Sequence, residues 1–126
     1  MDPHELLMAA GVIPFLFVGG HIGKIVFVNG IVTHLLCACK NPLSKHAIRV
    51  DVITNVLFCL IVNMLTPFQP LTFLLTFLSA LVWIRNKKVR RSWVSVCLHV
   101  VLVQWLLCFL LKVFIYHVPN PIKLFF

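Results

Sequence analysis

The sequence predicts an all-α, polytopic integral membrane protein, with four transmembrane helices in a small bundle and a short N-terminal interfacial helix. Three observations lead there. First, 61% of the 126 residues are apolar, and 11 Lys+Arg face only 3 Asp+Glu, a net charge of +8. An average soluble domain is about half apolar and about a quarter charged, and a core of this size could not hide so much apolar surface from water. Second, four stretches approach the roughly 20 apolar residues that a helical span requires. Third, the basic residues gather where those stretches are interrupted.

The first stretch, 17–39, carries Lys24 and four Gly. The second, 50–66, opens close to Asp51. The third and fourth are 68–84 and 94–117. Between the second and third lies Thr66-Pro67-Phe68-Gln69-Pro70, where Pro cannot comfortably continue a helix, so a tight turn and a helical hairpin are expected. The loop 40–49 carries three cationic residues and the loop 85–91 carries five, whereas the hairpin turn has none. A four-span topology puts both basic loops on one side, which the positive-inside rule makes cytoplasmic, with both termini on the opposite face. Residues 5–18 are too short to cross alone and are broken by Pro14. A short helix at the interface, or packed on the bundle, with a break near Gly19-Gly20, is the expectation. All 126 residues read as one membrane domain.

The composition excludes an ordinary globular enzyme, and the Cys pattern excludes a redox or zinc site of C-x-x-C type. Cys37 and Cys39 are one residue apart, and Cys59, Cys97 and Cys108 lie alone in apolar runs. Three families of comparable architecture also fail on their residues. Small multidrug transporters resemble the chain in length but rely on a carboxylate in the first helix, where this sequence has His21, Lys24 and His34. Quinone-linked disulfide oxidoreductases need paired Cys, and ceramidase-like hydrolases need an H-x-x-x-H pair; neither is present.

Helical spacing sorts the remaining polar residues into faces. Gly19, Gly23 and Gly30 share a stripe on the first span, and Gly19-x-x-x-Gly23 is a small-x-x-x-small pattern for close backbone approach in lipid. Thr72, Thr76 and Ser79 form a similar packing stripe on the third. Asp51 reads as a helix-start residue, favoured there by the dipole and offset by Arg49. His34 and His99 lie at matching depths on the first and fourth spans, as do Asn29 and Gln104. Interhelical hydrogen bonds are the expectation for both pairs, with His34 and His99 as weak candidates for a haem or metal. No cofactor and no catalytic residue is expected.

The function expected is therefore non-enzymatic: a structural subunit of a larger membrane assembly, with a virion's internal membrane or minor capsid shell as the setting. The alternatives are a small transporter or pore lined by Asn29, His34, Asp51, Asn55, His99 and Gln104, or an accessory subunit of an energy-transducing complex. A transporter requires those residues to share one cavity. Arg85, Lys87, Lys88, Arg90 and Arg91 are expected to dock anionic headgroups or a neighbouring protein subunit. So few charges without interleaved aromatics argue against nucleic acid as the partner.

Overall fold

A computed structural model describes residues 1–18, 20–65 and 69–117. The described residues are all-helical, without strands. Helix α1 spans Pro3–Gly11, α2 Pro14–Phe17, α3 Gly20–Ala38, α4 Ser44–Leu65 and α5 Gln69–Lys88. The last rod runs from Trp93 to His117 as α6 (Trp93–Leu98), a π-helical segment (His99–Trp105) and α7 (Leu106–His117).

Three of these rods are long and apolar enough to cross a membrane: α3, α4 and Trp93–His117. Helix α5 has 20 residues, about 30 Å at 1.5 Å per residue, but its mean hydropathy is lower because Arg85, Lys87 and Lys88 ride on its last turns. The basic loops are accordingly shorter than expected. Ser44 begins α4, so Lys45 and Arg49 are already helical. Asp51 thus lies two turns inside α4 rather than at its start, and no ion pair joins it to Arg49 among the described residues. The hairpin turn centred on Pro67 lies outside the described residues, as do Gly19 and the segment after His117.

The N-terminal segment takes the second of its two expected places, packed on the bundle. Asp2 caps α1, accepting from the His4 amide at 2.9 Å, and Pro3 occupies the first turn, where its missing N–H costs nothing. Helices α1 and α2 both contact α3. They run antiparallel along α3: the Asp2 amide donates to the Ala38 carbonyl at 3.2 Å, Val12 packs on Gly30, and Phe15 meets Gly23. Met8, Ala9, Val12 and Phe15 are buried. The first residues therefore sit at the basic end of the bundle, which corrects the expectation that both termini lie opposite it. The reason is electrostatic, because Asp2 and Glu5 find their counter-ion in Arg91.

The main core joins Val12, Phe15 and Val26 to Phe58, Val62, Leu110, Leu111 and Phe114. In lipid such a core gains little from water exclusion, and close packing holds it together. Gly23 and Gly30 permit that packing. A Cβ on Gly23 would stand 2.6 Å from the Phe15 carbonyl oxygen, and one on Gly30 2.7 Å from Val12 Cγ1. The partner of this stripe is thus the N-terminal segment. Thr72 and Ser79 are buried on α5, and Thr76 donates to the Thr72 carbonyl at 2.7 Å.

Candidate intramembrane binding cleft

Two polar features occupy the bundle. The first is a network at the basic end. With its proton on Nδ1, His34 donates to Glu5 Oε2 at 2.8 Å, and its Nε2 then accepts from Gln104 Nε2 at 3.3 Å. The same Gln104 amide donates to the Met8 carbonyl at 2.8 Å. Arg91 reaches Glu5 Oε1 at 2.5 Å and Asp2 Oδ2 at 3.3 Å. Glu5, 4% exposed, is thereby compensated. Burial pushes its carboxyl up, but the hydrogen bond with His34 and then the charge of Arg91 outweigh burial and hold it below the usual range. His4 adds an edge-on ring contact with Trp93, centroids 4.4 Å apart.

The second feature is a cleft of about 820 Å³ between α3, α4, α5 and the π segment. Its polar lining comes from His34, Asp51, Asn55, Asn63, Thr76, Ser79, His99 and Gln104, and most of the rest is apolar. A smaller cavity of about 160 Å³ lies toward the basic rim, where Lys87 and Arg91 line it. The two share His34, Asp51, Val52, Trp83 and His99 in their walls. At its other end the cleft reaches Met64 and Pro70.

Local structure explains this gathering. On α4, Asp51, Asn55, Cys59 and Asn63 recur every four residues, close to one turn, and so share a face. Asn55 donates to Asp51 Oδ1 at 3.3 Å. Asn63 donates to the Cys59 carbonyl at 2.8 Å and to Thr76 Oγ1 at 3.0 Å, tying α4 to α5. The π segment acts similarly for its own residues. Its i→i+5 bonding brings residues five apart over one another, so both His99 and Gln104 reach the cleft, whereas α-helical spacing would set them about 140° apart.

The sequence-predicted residues divide accordingly. His34, Asp51, Asn55, His99 and Gln104 come together; Asn29 does not. It donates to Thr54 Oγ1 at 3.1 Å across the α3–α4 contact, so the expected Asn29–Gln104 pair is replaced by Gln104 with Met8 and His34. His34 and His99 do meet, as an edge-on ring pair with centroids 5.7 Å apart and not as a hydrogen bond. Both ring nitrogens of His34 are engaged, so neither is free to ligate a haem or metal. Among the described residues no group of three His, Cys, Asp or Glu converges on a metal position.

The basic rim is partly used internally. Arg91 serves Asp2 and Glu5, Lys87 Nζ sits 4.9 Å over the Trp83 ring, and Arg85 donates to Asn86 Oδ1 at 3.0 Å. Lys88 and Arg90 are exposed and form no ion pair among the described residues. Sequence reasoning missed Glu5 and Asn63 as members of these features, and it placed Trp83 with Thr72, Thr76 and Ser79 as helix packing only. The four-residue recurrence from Asp51 to Asn63 was the signal for Asn63, whereas nothing local marks Glu5.

Among the described residues two buried acceptor atoms have no partner, Asn63 Oδ1 and Gln104 Oε1. The second abuts Gly11, where a Cβ would overlap it. No protein family, curated protein or solved structure matches the chain.

Proposed function

We propose that the chain is a four-span membrane protein that binds an amphipathic small molecule in the cleft between α4 and α5, and acts as a small carrier without covalent chemistry. The observation that carries this reading is the cleft itself. It is concave, mostly apolar and within the 300–1,000 Å³ of typical ligand sites, and a few polar side chains gather toward one end of it. A lipid-like tail suits the wall formed by Leu60, Phe73, Phe77 and Leu107, and a polar head suits the end at Asp51, Asn55 and His99. The length of the cleft, from Trp83 near the basic rim to Pro70 at the opposite end of α5, supports a carrier over a fixed structural lipid.

The test fills the cleft. Ala80→Trp and Cys59→Phe introduce bulk at two lining positions. In detergent, 1-dodecanol should raise the thermal midpoint of the native protein and leave that of both variants unmoved. Equal shifts in all three would overturn the reading.

A second reading, a structural subunit of a larger assembly such as a virion membrane, draws support from the exposed Lys88 and Arg90 beside the exposed Trp93. Replacing both cations by Gln should then release the neighbouring subunits that co-purify with the chain from its native membrane, and their unchanged recovery would remove that support.

A further inference from the structure

We infer that the head group taken by this cleft is a cation, a protonated amine or quaternary ammonium, and that Asp51 is the residue that reads it. This rests on the amphiphile-binding reading above and assigns its ligand class.

The chain has three acidic residues. Asp2 and Glu5 share the Arg91 guanidinium. Asp51 has no ion-pair partner among the described residues, and the one side-chain bond it shows is the 3.3 Å contact from Asn55. It stands two turns inside a membrane helix and lines both the cleft and the smaller cavity. A carboxylate at such a position is costly unless a positive charge or a relay accompanies it. His34 cannot turn to it without giving up Glu5 or Gln104.

The neighbouring wall suits a cation as well. Trp83 lines the same junction of the two cavities, and its ring already accepts the Lys87 ammonium at 4.9 Å, the geometry of a cation–π contact. Lys87 and Arg91, the cations that border the smaller cavity, are held by that ring and by the two N-terminal acids. An incoming ammonium would give Asp51 an ion-pair partner, which none of the described residues provides. An anionic head would meet the carboxylate instead and bind more weakly.

The experiment compares three twelve-carbon probes on the detergent-solubilised full chain: dodecyltrimethylammonium, 1-dodecanol and dodecanoate. Binding is read from tryptophan fluorescence and from adducts in native mass spectrometry. The ammonium should bind about tenfold or more tightly than the alcohol, with dodecanoate weakest. Asp51→Asn should erase that preference while leaving alcohol binding in place, and Asp51→Glu should keep it. Dodecanoate binding as tightly as the ammonium, or an Asp51→Asn protein with its preference intact, would overturn the head-group assignment and leave the cleft reading standing. Failure of all three probes to bind would overturn the cleft reading itself. The ranking of probes on the native chain needs no variant, so it decides the matter even if Asp51→Asn does not fold.

Discussion

Glu5 and His34 are 2.8 Å apart, so α1 is fastened to α3 by a buried hydrogen bond between a carboxylate and an imidazole. The same carboxylate holds Arg91, which lies between α5 and α6. One acidic side chain thus ties three parts of the bundle together at its basic end.

Breaking that tie should be costly. Glu5→Gln removes the charge that Arg91 and His34 both use, leaving a guanidinium without its buried partner. Arg91 is 48% exposed on its side chain, so water recovers part of the loss, and a destabilisation of about 2 kcal/mol is expected. Denaturant unfolding in mixed micelles measures it. A variant as stable as the native chain would show that α1 is held by apolar contacts alone.

Stability should also fall in acid through Glu5. Its folded-state carboxyl is held below the ordinary value, which is about 4.3. The contribution is therefore fully present above that ordinary value and is lost as the pH falls through the lower folded one. Thermal midpoints followed from neutral pH to about pH 3 should show an acid limb that is shallower in Glu5→Gln. Superimposable acid limbs would contradict the assignment.

The glycine contacts give a graded expectation. Gly23→Ala would press a methyl onto the Phe15 carbonyl, a backbone atom that cannot rotate away, whereas Gly30→Ala meets the Val12 side chain. Overpacking typically costs about 1–3 kcal/mol. Gly23→Ala should lie at the upper end of that range and Gly30→Ala at the lower, measured by the same unfolding assay. The reverse order would mean that α2 shifts more readily than Val12 repacks.

The topology can be checked directly. In a background with the five Cys replaced, Cys introduced at Ser44 and Val89 and an epitope placed before Met1 should be reached from one side of the membrane. Cys at His21 or Tyr116, both exposed on the bundle, should be reached from the other. An epitope accessible only with His21 would return the N-terminus to the face that the sequence predicted.

Read along the chain alone, the protein is all-helical, with apolar lengths suited to a membrane and basic charge clustered between them. Those properties sum along the chain: apolar length decides what can enter lipid, and the spacing of cations decides which loops stay out. His34 and His99 could be set at equal depth by counting along two helices, and their rings do meet. What counting could not supply was decided through space. Along the sequence Asp51 reads as a helix start, but α4 begins at Ser44. Gln104 was turned toward Met8 and His34 by a π-helical segment, whose altered pitch breaks the 3.6-residue rule that sequence reading depends on. Glu5 read as an ordinary acid near the chain's first residues, and only the tertiary fold joined it to His34 and Arg91, because an ion pair depends on the distance between charges in space and not on their separation in the chain.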